Sequence, residues 1–132
     1  MRTSLSPLSG HLALRGSLGF TPRLDRRTRA LVVQLAAEGS GCRWCVERGR
    51  HEWRCAGLPP ILLRRLDALE SSPLLDERER AACRFAGAVL AAGAGALPED
   101  SFPDARRHFS EYEIADIVGC LADHHCLDEP CE

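Results

Sequence analysis

The chain has 132 residues, 45% of them hydrophobic and 27% charged, with a formal net charge of -2. That length suits one domain, the apolar share excludes general disorder, and the near-neutral charge gives no basis for nucleic-acid or membrane-surface binding. Arginine supplies every permanent side-chain cation and lysine is absent, so Schiff-base chemistry on a lysine is excluded.

Residues 1–23 read as an N-terminal segment rich in Ser, Gly, Leu and Pro, with one short helix near Pro7 to Arg15 and a punctuated loop from Gly16 to Pro22. Leu24, Thr28, Leu31, Leu35 and Glu38 recur at helical spacing and predict a helix over 24–38, ended by Gly39-Ser40-Gly41. Ser40 or Gly41 can cap a second helix, with Cys42 in or just before its first turn. That helix runs to Cys55 or Ala56 and stops at Gly57, before Pro59-Pro60. Ile61, Leu62, Leu66 and Leu69 predict a short helix. A longer one follows over 76–92, with Ala82, Phe85, Ala86, Val89 and Leu90 along one side and Gly93 and Gly95 at its end. A short helix over 102–109 precedes the last, which Ser110 caps with Glu113 three residues on. The stripe of that last helix is Ile114, Ile117, Val118, Leu121 and His125. No run alternates as a strand does, so the fold class is all-α, a single-domain bundle of about six helices.

No stretch reaches the roughly 18 to 20 apolar residues of a membrane span, and Arg2 is not followed by a secretory apolar core and cleavage site. A cytoplasmic location is the resulting expectation. Seven cysteines, an odd number, do not suit a disulfide framework inside the cell, and most read as small buried hydrophobes, Cys83 and Cys120 among them. Arg26-Arg27 and Arg64-Arg65 read as solvated faces, and Trp53 as core or interface.

The exception among the cysteines is Gly41-Cys42-Arg43-Trp44-Cys45-Val46-Glu47-Arg48. Two cysteines three apart at a helix start can close a small disulfide ring. The free N–H groups and partial positive charge there favour a thiolate, and Arg43 and Arg48 add charge. A thiolate attacks disulfides or peroxides, and the second cysteine resolves the adduct. The competing readings are half a zinc site or an inert pair. No second CxxC is present, so zinc would need distant ligands such as His124, His125 or Cys126. His51 and Cys55, spaced i, i+4, could likewise share a metal.

The chain resembles the carboxymuconolactone decarboxylase family, in particular its alkyl hydroperoxidase (AhpD)-like branch, over about residues 24–128, leaving 129–132 as a tail. The resemblance is carried by Leu24-Asp25-Arg26-Arg27-Thr28-Arg29-Ala30-Leu31-Val32, by Gly41-Cys42-Arg43-Trp44-Cys45 with Ala56-Gly57-Leu58, by Leu75-Asp76-Glu77-Arg78-Glu79-Arg80-Ala81-Ala82, and by His108-Phe109-Ser110-Glu111-Tyr112-Glu113-Ile114 running on to Val118. It implies an AhpD-like bundle, a homo-oligomer, and a thiol–disulfide oxidoreductase of alkylhydroperoxidase or peroxiredoxin-like antioxidant character. Cys42 and Cys45 would be catalytic, with no organic cofactor and no metal. A hydroperoxide or disulfide would be the substrate, and a protein or thiol the reductant.

Two positions depart from the pattern. The redox branch carries a glutamate twelve residues before the first cysteine, here Ala30, and a histidine four residues after the second, here Gly49. These groups would relay protons to the thiols. Candidate replacements are His51, six residues after Cys45 and pointing roughly 120° away on a regular helix; Glu38, just before the loop; and His124 or His125. A family member that kept the fold for a binding or regulatory role, or a metal-binding module on the same CxxC, are the alternatives.

Overall fold

The computed structural model describes residues 24–93 and 95–122, which form five α-helices and two 3-10 turns. In chain order these are α1 (Arg26–Ser40), α2 (Arg43–Cys55), 3-10 turns at Pro60–Arg64 and Leu66–Ser71, α3 (Glu77–Ala92), α4 (Ser101–Arg106) and α5 (Glu111–Ala122). No strand occurs among the described residues. The helix expected near Pro7 to Arg15, and His124 and His125, lie outside them.

Helix starts are set by side chains that satisfy the first free N–H groups. Asp25 caps α1 and accepts from Thr28 N and Oγ1. Asp76 and Glu79 form a capping box on α3. Ser110 and Glu113 form the expected one on α5, with Glu113 N donating to Ser110 Oγ and Ser110 N donating to Glu113 Oε1.

The stretch 61–69 is not the single helix its apolar spacing predicts. Arg65 leaves helical geometry at φ −131°, ψ 41°, and Ala68 departs again at φ −122°. Two tight turns result, and they still bury Leu62 and Leu69. A 3-10 turn satisfies its backbone locally, so this connection needs no long regular helix to bring two leucines inward.

α1 packs on α2, α3 and α5, while α3 also receives α4 and the second 3-10 turn. The core divides along α1 and α3. On one side Val32, Ala36, Ala82, Phe85, Ala86, Ile114 and Ile117 meet; on the other, Ala30, Leu31, Trp53, Leu58, Leu69, Leu75 and Cys83. Small residues on α3 let its neighbours approach closely, and Phe85 meets Phe102 edge to face at 5.4 Å. Val118 and Leu90, placed on apolar stripes by sequence, are exposed.

Ion pairs tie the helices together. Arg27, read from the sequence as solvated, instead reaches the buried carboxylate of Glu79 at 2.8 Å. Arg78 donates to Asp25 and Glu113, lies 4.4 Å from the Phe109 ring centroid, and so joins the entry of α1, the start of α5 and α3. Arg84 donates to Asp104 through two nitrogens, binding α4 to α3.

Trp53 anchors α2. Its ring is fully buried and its Nε1 donates to Pro59 O at 3.0 Å. Replacing Trp53 with Phe keeps an aromatic ring but leaves the Pro59 carbonyl with Leu62 N as its one remaining donor and empties the buried space of the larger indole. We expect the unfolding free energy in urea to fall by about 1–3 kcal/mol.

Candidate functional site

The dithiol sits where α1 turns into α2. Gly41 closes α1 in the left-handed region at φ 77°, which reverses the chain and frees the next residue to begin a helix. Ser40 Oγ, expected as a cap of α2, donates to Ala37 O and accepts from Cys42 N, so it serves the turn. The cap of α2 is Cys42 itself, whose Sγ accepts from Cys45 N at 3.1 Å. Cys42 and Cys45 are at disulfide distance, with Cα atoms 5.2 Å apart, inside the range that a disulfide needs.

The two sulfurs are not equivalent. Cys42 is half-buried, whereas Cys45 is 1% exposed. Cys42 therefore combines solvent access with a backbone N–H aimed at its sulfur and the positive end of α2 beneath it. Arg43 and Trp44 are exposed beside it, and the Arg48 guanidinium lies 6.0 Å from the Trp44 ring centroid. A sulfur so placed can hold negative charge, and once an oxidant has converted it to a sulfenic acid or a mixed disulfide, the buried neighbour one turn on can displace the added group and close the Cys42–Cys45 disulfide.

Behind the disulfide, α1 meets α2 through a side chain that sequence reasoning passed over. Gln34 is completely buried, and its Nε2 donates to Glu38 Oε2 at 2.8 Å and reaches Val46 O at 3.4 Å. Its Oε1 is buried without a hydrogen-bond partner. The carboxamide lies against Gly49, one turn past Cys45. A Cβ at position 49 would fall on Gln34 Oε1 and sit 3.0 Å from Cδ. The place where the resemblance implies a histidine is thus filled from α1 by an amide, which does not ionise near neutral pH and so cannot act as a general acid or base. The signal available in the sequence was Gly49 itself, since a glycine inside a helix often has a packing reason.

Of the candidate relay residues, Glu38 lies on this face, held by Gln34 and 3.7 Å from Arg50. His51 is exposed, and its Nε2 is 3.5 Å from Cys55 Sγ toward the far end of α2. His124 and His125 lie outside the described residues. Ala30 is buried among Leu31 and Trp53 and offers no polar group. Among the described residues no three His, Cys, Asp or Glu side chains gather as a metal-binding group. Among them, too, no helix is long and apolar enough to cross a membrane.

Putting a methyl group at Gly49 requires Gln34 to swing away and give up its bond to Glu38. Gly49→Ala should cost about 1–3 kcal/mol despite the better helix propensity of alanine. In a Gln34→Ala background the same change should be neutral or stabilising. A double-mutant cycle by urea unfolding measures this coupling, and additive effects would contradict the packing described.

No family model and no curated protein matches the sequence. Among solved structures, a crystal structure of a protein of unknown function from Agrobacterium tumefaciens, provisionally assigned as an antioxidant defence protein AhpD, is similar. It matches with a TM-score of 0.71 and 27% identity over 92% of this chain and 82% of the other.

Proposed function

We propose that this AhpD-like chain is a CxxC thiol–disulfide oxidoreductase that reduces hydroperoxides in an antioxidant role. The observation that carries the reading is Cys42, half-exposed at the cap of α2 with Sγ on a backbone N–H, beside the buried Cys45 at disulfide distance. In the reduced enzyme the Cys42 thiolate attacks the outer oxygen of R–O–OH. The O–O bond breaks, Cys42 becomes a sulfenic acid, and the alcohol or water leaves with a proton from solvent or from Cys45. Cys45 then attacks the sulfenic sulfur, water departs, and the disulfide closes. A dithiol or reduced partner protein returns two electrons by exchange through Cys42, the accessible sulfur. A homo-oligomer, with the exposed Trp44 near a subunit contact, belongs to the same proposal.

Gln34 favours a second reading. With an amide beside Gly49 and alanine at position 30, the proton relay of the redox branch has no counterpart at either position. A chain that keeps the fold and dithiol but no longer turns over peroxide, serving a binding or regulatory role, is consistent with that.

Stopped-flow mixing of the reduced protein with an alkyl hydroperoxide, followed by mass spectrometry, separates the two. The expected result is stoichiometric Cys42–Cys45 disulfide formed faster than a free thiol reacts. Cys42→Ser should lose the reaction, and Cys45→Ser should stop at a sulfenic acid on Cys42. Oxidation no faster than that of a free thiol, with rapid exchange against a small disulfide, would assign the second reading.

A further inference from the structure

We propose that Cys55, with His51 as its proton acceptor, is a second reactive thiol of this chain and a site of mixed-disulfide formation with low-molecular-weight disulfides. The two side chains are one turn apart on α2, both exposed, with Cys55 Sγ and His51 Nε2 at 3.5 Å. Their spacing is held by a rigid helix, because Trp53, between them in sequence, is buried and bonded to Pro59 O. A cysteine thiol within hydrogen-bond reach of an imidazole is a nucleophile with a base beside it.

The other described cysteines are placed differently. Cys83 is buried, and burial pushes its thiol up to about 12. Cys120 is half-buried and accepts from Arg29 Nη1 at 3.6 Å. Cys42 and Cys45 engage each other. Cys55 lies ten residues after Cys45, about 15 Å along the helix, so the dithiol of the same chain cannot reach it and an adduct there would persist.

The surrounding charge suits an anionic disulfide. Arg54 is exposed beside Cys55. The carboxylates on α2 are occupied: Glu47 by Arg50 and Glu52 by Arg48. In the reaction, His51 Nε2 takes the thiol proton and the Cys55 sulfur attacks one sulfur of RS–SR. The S–S bond of the reagent breaks and Cys55–S–S–R forms. The released RS⁻ takes the proton, so the Cys55 thiol is oxidised as the leaving sulfur of the reagent is reduced to a thiol.

The test uses the full chain with Cys42–Cys45 oxidised and oxidised glutathione as the probe, read by intact mass and peptide mapping. Keeping the dithiol closed makes the outcome independent of the peroxide chemistry proposed for it. The expected result is a glutathione adduct on the peptide that carries Cys55, absent in Cys55→Ser. His51→Gln should slow its formation about threefold or more near pH 7, and the two rates should converge in alkali, where hydroxide removes the thiol proton unaided. Both residues are exposed, so unchanged circular dichroism would confirm that the variants fold. No adduct on Cys55, or rates equal in native protein and His51→Gln at every pH, would overturn the proposal.

Discussion

The approach of α1 to α2 at Gln34 and Gly49 is the contact on which the site depends. Glycine in mid-helix costs about 1 kcal/mol relative to alanine. Here it admits a carboxamide from the facing helix, within hydrogen-bond reach of Glu38 and Val46. That amide seats the back of α2 one turn past Cys45, while Trp53 seats its far end. The dithiol rests on a helix fixed at both points, with its own geometry set locally by Gly41 and by the Cys42 cap.

The two ends of α2 offer different kinds of sulfur chemistry. At the start, the helix supplies N–H groups and partial positive charge, and the cap residue is itself the sulfur. At the end, the backbone presents carbonyls instead, and the groups beside Cys55 are the His51 imidazole and the exposed Arg54. Burial separates both from Cys83, which packs in the core as an inert apolar group.

Much of the architecture was legible because apolar residues repeat at helical spacing in α1, α3 and α5, and because Ser110 with Glu113 spells a capping box. The 61–69 segment was not, since its leucines fit a helix while Arg65 breaks the backbone after one turn. Cys42 as its own cap was hidden behind Ser40 and Gly41, which are the commoner caps. Gln34 was hidden for a different reason. A glutamine in a helix reads as surface, and only a partner twelve to fifteen residues on, at Val46 and Gly49, makes it interior. The dithiol was plain from spacing, but what surrounds it required the third dimension.

The ion pairs that bind these helices share one property of composition: each permanent cation is a guanidinium. Such groups keep their charge up to about pH 12 and beyond, so alkali does not dismantle the lattice they form. Its vulnerability lies on the acid side, with the carboxylates. The bond from Arg84 holds the Asp104 carboxyl below its ordinary range. Burial pulls Asp25 upward, but its bonds to Thr28 and Arg78 outweigh that and leave it lowered too. Groups depressed in this way stabilise the fold above the usual carboxylate range and cease to do so as pH falls through their own. Acylating reagents and enzymes that neutralise lysine have no target among these side chains, so the bundle's cohesion is insulated from that whole class of charge loss.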